Sequence, residues 1–187
     1  MQERTWGAII RKHSCGRTQF NKAVTGLLIM VRDVTVIGIR GNVSFEDMVG
    51  HFTSLGGDCV IMDPMQVYGR DMVLSAVRHA ERAFDNGTNS SKSLLTEIIL
   101  YASGERQISK ALSKMRPKDG NDRYVVALLD VKGDLRLGDI GMERDDSIMD
   151  GDEEKAVTMG LTNDLGVSYD ALALERVAMV DVLKKSK

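Results

Sequence analysis

Apolar positions along the chain follow either a period of two or a period near three and a half, and the changes between them mark out the elements. From Asp33 to Ile39 the run Asp-Val-Thr-Val-Ile-Gly-Ile is dense in β-branched residues and stops at Arg40-Gly41-Asn42, which predicts a first strand and a turn. Ser44, followed by Glu46 and Asp47, has the form of a helix N-cap with an acidic first turn. Phe45, Met48, Val49 and Phe52 carry that short helix toward Gly56-Gly57. Cys59-Val60-Ile61-Met62, closed by Asp63-Pro64, predicts a second strand.

A helical block comes next. Val73, Ala76, Val77, Ala80, Ala83 and Phe84 recur at helical spacing over about Met65 to Phe84, with Arg70, Arg78 and Arg82 on the opposite side and Gly87 as the stop. After a polar loop from Asn86 to Ser93, Leu94, Leu95, Ile98, Ile99 and Ala102 form the stripe of a second helix, which Gly104 ends. Ile108, Ala111, Leu112 and Met115 then step by three and four until Pro117 forbids continuation. Arg123 to Leu129 reads as a strand, and Leu135-Arg136-Leu137 beyond the Lys132-Gly133-Asp134 turn predicts the second arm of a hairpin. The acidic stretch Glu143 to Glu154 is expected to run over the surface into a helix around Lys155 to Leu161. Ser168 caps a last helix, apolar nearly all round, whose burial must come from the domain or from another chain. These elements predict one compact α/β (α+β) domain, with a small, mostly antiparallel sheet of about four strands covered by several helices.

The first thirty residues show neither period, so residues 1–31 are read as an N-terminal extension, with Met30 as a candidate natural start, and 32–187 as the globular domain. A length of 187 residues with 43% hydrophobic positions fits a single domain. No run reaches the roughly 18 apolar residues of a membrane span, so a cytoplasmic protein with no membrane partner is expected. Cys15 and Cys59 form no disulfide framework or metal set, and Cys59 reads as a small core residue.

Charge sharpens the picture. The net charge of −2 hides segregation: residues 66–118 hold nine basic groups against five acidic, and residues 119–187 nine against sixteen. Residues 1–32 hold six against one, and residues 33–65 one against five. Such a chain can present a local cationic surface to nucleic acid while the remainder repels it, or simply carry clustered charges on solvated helix faces.

The search for catalytic chemistry returns no catalytic residue, metal site or cofactor. The glycines near Gly38, Gly41, Gly56 and Gly57 give no dinucleotide or phosphate-loop fingerprint. His13, His51 and His79 lack ligand spacing. Asp145 to Asp152 places Ile148 where a calcium loop needs an oxygen, leaving a solvated acidic face. Arg78 and Arg82 lie four apart on one helix face, a repulsion of a few tenths of a kcal/mol. Either an external anion relieves it, or Glu81 and Asp85 do so as surface ion pairs.

The most distinctive segment is Tyr101-Ala102-Ser103-Gly104-Glu105-Arg106-Gln107-Ile108, where one helix ends and the next begins with almost no linker. Free amides at a helix N-terminus, close approach at Gly104 and the polar groups of Arg106 and Gln107 suit a phosphate or a nucleotide end. The structural alternative is a helix corner in which Arg106 pairs with a carboxylate and Gln107 caps the backbone.

Several blocks resemble one family in order: Arg78-His79-Ala80 with Ala83, Glu97-Ile98, Ala102 to Ile108, Ala111, Lys118-Asp119-Gly120-Asn121, Asp145-Asp146-Ser147, and Leu174-Glu175-Arg176-Val177-Ala178. Over roughly residues 33 to 185 the chain resembles the KEOPS-complex accessory subunits, the p53-related-protein-kinase-binding proteins. The Ser-Gly-x-Arg-Gln-Ile block is the most specific part of the match, and the first thirty residues are outside it.

The resemblance implies a non-catalytic subunit that binds and stimulates the complex's small atypical kinase directly. It also implies binding of tRNA at its 3′ CCA end, in support of a threonylcarbamoyltransferase subunit reached through the kinase. Taken with the cationic segments, it assigns tRNA binding to Arg78, His79, Arg82, Ser103, Gly104, Arg106, Gln107, Lys110 and Asn121. Kinase binding is assigned to Leu174, Val177, Ala178 and Asp181. Two other classes remain open: a stand-alone small-molecule transferase or hydrolase using the Ser103–Gln107 corner, and a pure protein scaffold.

Overall fold

The computed structural model describes residues 32–164 and 166–185; the extension expected at 1–31 lies outside them. The described residues form a four-stranded antiparallel sheet in the order β2-β3-β1-β4 with six α-helices. The strands are β1 (Val34–Arg40), β2 (Asp58–Met62), β3 (Arg123–Leu129) and β4 (Glu143–Arg144). The helices are α1 (Phe45–Ser54), α2 (Arg70–Asp85), α3 (Leu94–Ser103), α4 (Ile108–Met115), α5 (Glu153–Met159) and α6 (Tyr169–Lys185).

Strand β3 sits in the middle, with Val34 opposite Leu129 on one side and Asp58 opposite the same Leu129 on the other. Successive residues of a strand point to opposite faces, and here both faces are covered, so the strands read as continuous apolar runs. Val36, Val60, Met62, Val125, Ala127 and Leu129 enter the larger core beneath α2 to α6. Ile37, Ile39, Cys59, Ile61, Tyr124, Val126 and Leu128 enter the smaller core, which α1 closes with Met48, Val49 and Phe52. Cys59 is buried there, and burial pushes its thiol up to about 12.

Four local expectations are corrected. Leu135-Arg136-Leu137 forms no second arm of a hairpin: β1 and β2 already occupy both edges of β3. The chain instead leaves at Asp130 (φ 59), and Leu137–Ile140 forms a 3-10 turn. Leu135, Leu137 and Ile140 pack on the smaller core, and the last strand is the short β4, paired with the end of β1.

The acidic stretch is not merely a solvated surface run. Asp146 accepts from the Gly38 amide at 3.1 Å and from Arg70 and Arg144, at 3.1 and 2.7 Å, while Ile148 and Met149 are buried. The strap it forms lies so close to β1 that a Cβ on Gly38 would stand 2.1 Å from the Asp145 carbonyl oxygen. The helix after it, α5, begins at Glu153, two residues ahead of the expected start, where Asp152 accepts from the Lys155 amide at 2.7 Å.

Finally, α2 starts at Arg70 rather than near Met65. Gly69, at φ 81, separates it from a 3-10 turn over Pro64–Gln66 and donates its amide to the Met149 carbonyl at 2.9 Å.

These contacts give two glycines opposite roles. Gly38→Ala forces strand and strap apart and is expected to lower stability by about 1–3 kcal/mol or more. Gly50→Ala, in α1 with nothing within 4 Å of the added carbon, is expected to raise it by about 0.5–1 kcal/mol. Urea midpoints at unchanged slope measure both, and midpoints moving in the same direction would contradict the contact.

Candidate functional site

Helix α3 ends at the buried Ser103, whose hydroxyl donates to the Leu100 carbonyl at 2.9 Å and accepts from the Glu105 amide at 3.1 Å. Gly104 then turns the chain in the left-handed conformation, φ 70. A Cβ there would lie 2.6 Å from Cγ and 2.7 Å from Nε of Arg176, because α6 lays that side chain across the turn. The Arg176 guanidinium also donates to the Met159 carbonyl at the end of α5. Lys114, one helix face along α4, donates to the Ser103 carbonyl at 3.2 Å and pairs with Glu105 at 3.4 Å.

Gln107 is the N-cap residue of α4, yet its side chain makes no capping hydrogen bond. Arg106, Gln107 and Lys110 are exposed and make no side-chain hydrogen bond or ion pair among the described residues. Among the described residues, then, neither side chain has the internal partner that the structural alternative requires. Lys114 and Arg176 both interact with Glu105 at the corner, while the exposed Arg106 and Lys110 belong to the turn and to the first turn of α4. Burial holds Lys114 below its usual pKa, and the nearby Arg176 adds to the effect against the pull of Glu105. Burial likewise lowers that of Arg176. An anion entering this corner would relieve repulsion between cations already partly desolvated.

The α2 cations behave differently. Arg78 is exposed, but Arg82 and His79 turn to Asp181 of α6, with Arg82 Nη2 at 3.0 Å and His79 Nδ1 at 2.8 Å from Oδ2. The Arg82–Asp85 pair, one of the two alternatives the sequence left open, gives way to this contact, and Glu81 faces Arg32 at 4.0 Å. The Tyr101 hydroxyl donates to the other Asp181 oxygen. Beside it, Lys184 donates to the Tyr101 oxygen at 3.1 Å, lies 4.2 Å from that ring's centroid, and pairs with Glu97, which is wholly buried. Glu97 also accepts from the Ser91 amide at 2.8 Å and the Ser90 amide at 3.1 Å.

The structure thus gathers Ser103, Gly104, Arg106, Gln107 and Lys110 at one corner and places His79 and Arg82 on a second polar cluster. Both touch α6, at Arg176 and Asp181, five residues or about 7.5 Å of helix rise apart. Asn121 lies past the far end of α4, roughly 12 Å of helix from the corner; its carbonyl accepts from the Tyr124 hydroxyl.

Of the residues assigned to the kinase, Val177 and Asp181 face inward, whereas Leu174 and Ala178 face outward. Sequence reasoning missed Lys114, Arg176, Tyr101 and Lys184, whose roles arise from contacts far apart in the chain. It also missed Met179 and Val182, although the four-residue steps from Leu174 through Ala178 to Val182 trace the stripe. Leu174, Met179 and Val182 are 37%, 39% and 57% exposed.

Ser103 Oγ is committed to its two backbone partners, and His51 Nε2 lies 2.8 Å from the Leu135 carbonyl. Among the described residues no three side chains of metal-binding type converge, and no helix is long and apolar enough to cross a membrane.

The family model described as kinase binding protein CGI-121 matches residues 50–163, from within α1 to just past α5, and so includes the corner. Strand β1 and helix α6 lie beyond the matched residues. No curated protein matches the chain.

The Asp181 cluster makes a pH prediction. Burial alone would raise the Asp181 pKa, but its bonds from Tyr101, His79 and Arg82 outweigh burial and hold it below the usual carboxylate value. A depressed carboxylate contributes stability that is present above its unfolded pKa of about 3.9 and is lost as pH falls through the folded value. Asp181→Asn is therefore expected to destabilise the chain at pH 7, with the gap to the parent closing below about pH 4. Urea midpoints across that range measure it, and a gap that widens on acidification would contradict the assignment.

Proposed function

The chain belongs to the kinase binding protein CGI-121 family, and on that premise we propose that it is a non-catalytic accessory subunit of a KEOPS-type complex, binding the complex's small atypical kinase and recruiting tRNA. The observation that carries the kinase contact is the exposed apolar stripe of α6. Its core side is lined by Ala173, Val177 and Val180, each wholly buried, with Tyr169 packed against the same core, while Leu174, Met179 and Val182 face outward. Full burial of a Leu, Met or Val side chain contributes about 1.5–3 kcal/mol, so covering the half-exposed stripe favours a partner. With roughly 800 Å² per side in a standard interface, the stripe forms its centre, and the polar residues around it form the rim.

The tRNA reading is supported by the corner. Arg106 and Lys110, unpaired among the described residues, present charge to phosphates, and Gln107 offers both a donor and an acceptor to a base edge. A flexible 3′ CCA end fits such a site because its bases are free to unstack. Ser103 acts here through its backbone and the turn it braces, Arg78 and the partly engaged His79 and Arg82 extend the cationic surface, and Asn121 is outlying. The threonylcarbamoyltransferase subunit is reached through the kinase, and the chemistry of threonylcarbamoyladenosine formation belongs to it. A transferase or hydrolase at the corner finds little support, since the one hydroxyl present is buried and already bonded on both sides.

Two measurements test these contacts. Replacing Leu174, Met179 and Val182 together by Ser is expected to weaken kinase binding at least about tenfold, or 1.4 kcal/mol, while stability falls by about 1–3 kcal/mol and helix content by circular dichroism is unchanged. Unchanged affinity would remove α6 from the interface. For the corner, filter binding should show stronger retention of tRNA bearing its terminal CCA than of tRNA lacking it, and R106Q should flatten the salt dependence by about 0.7 to 0.9 in log–log slope. Equal retention of the two RNAs would eliminate recognition of the end.

A further inference from the structure

Helix α6 could seat itself in more than one way. Its inner side carries Ala173, Val177 and Val180, with Tyr169 packed against the same core, and its outer side carries Leu174, Ala178, Met179 and Val182. Apolar burial is non-directional and scales with area, so it does not by itself fix which of these sides turns inward. What distinguishes the observed rotation is polar: Asp181 receives Tyr101 from α3 and His79 and Arg82 from α2, and Lys184 reaches the buried Glu97 and the Tyr101 oxygen. A rotation of even one residue position, roughly 100°, would withdraw both anchors and leave Glu97 buried without its cation.

We infer that Asp181 and Lys184 are positioning residues: they select the rotation of α6 that keeps Leu174, Met179 and Val182 outside, available to a partner, instead of packed into the domain's own core. Asp181 then serves the partner surface from beneath. The consequence for a kinase rests on the docking reading above; the rotation itself does not.

The test uses the full chain with Cys15→Ser, which leaves Cys59, buried and with a thiol raised by burial, as the background cysteine. V182C and V180C are introduced separately, and their labelling by a maleimide is timed in the parent, in Asp181→Asn and in E97Q/K184M. The last variant removes both charges of the buried pair and so leaves neither one alone.

In the parent, the thiol at position 182 labels faster than that at 180. In the anchor variants the ratio is expected to fall by about tenfold or more, or to invert, as the outer side is drawn in and the inner side comes out, with helix content by circular dichroism unchanged. An unchanged ratio in both variants would overturn the inference. So would equal acceleration at both positions, which is detachment of the helix and not rotation. Kinase capture by the same proteins separates the two readings: a collapsed ratio with undiminished capture supports the rotation and removes the docking face.

Discussion

The burial of α3 on every side is the constraint from which the rest of this structure follows. Only Leu94, at its start, retains appreciable exposure, and the helix takes Thr96, Glu97, Tyr101 and Ser103 into the interior with its apolar residues. A carboxylate in such a place costs several kcal/mol unless it is paired and hydrogen-bonded, and a phenol or hydroxyl there must also find a partner. Each demand is met from a different direction. Glu97 draws the Ser90 and Ser91 amides of the preceding loop and Lys184 of α6; Tyr101 draws Asp181; Ser103 bonds back to its own helix and steadies the turn that follows. The terminal helix is thereby fastened through the polar groups of α3, and the end of α3 becomes the corner that α6 overlies at Arg176.

How much of this could be read from the chain depends on the range of the interactions involved. Strands β1, β2 and β3 and helices α1, α3 and α4 were legible because period, cap and breaker are local signals: Ser44 accepts from the Asp47 amide at 3.1 Å, and Gly104 takes the left-handed turn expected of a helix stop. The hairpin expected after β3 was a reasonable reading of alternation, but alternation cannot say that both edges of a strand are already taken. The acidic strap was misread for a related reason. A run of carboxylates looks like a solvated face until Gly38, more than a hundred residues earlier, supplies an amide and the space for the strap to lie against it. At the site, the corner itself was visible in Ser103 to Ile108, whereas the contacts of Arg176 and Lys184 exist only after α6 has docked.

Charge segregation in the sequence is partly undone by folding. Of the basic groups concentrated in residues 66–118, Arg70 is met by Asp146 and Arg82 by Asp181, and both carboxylates come from the acidic last segment. Lys114 and Arg116 find Glu105 and Asp119 nearby. A count of charges by segment therefore overstates the cationic surface. Arg78, Lys92, Arg106, Lys110 and Lys118 remain without an ion pair among the described residues, and of these Arg106 and Lys110 lie at a helix start whose N-cap side chain, Gln107, is also uncommitted. Surface ion pairs of the ordinary kind contribute little to stability, so the informative feature is where pairing stops.

The terminal helix shows why polar contacts in a core can matter for more than stability. A buried ion pair is often no more stabilising than apolar residues of the same volume, because desolvation offsets its attraction. Its advantage is direction: Asp181 must meet three donors on two helices, and Lys184 must meet one carboxylate, whereas Val177 or Val180 would pack acceptably in many orientations. With Ala173, Val177 and Val180 on its core side, α6 packs on α2 and α3 and relies on those polar contacts for orientation. Leu174, Met179 and Val182 are thereby left outside. Apolar contacts alone do not distinguish this rotation from one that turns those three inward, and a partner would then meet Ala173, Val177 and Val180 in their place.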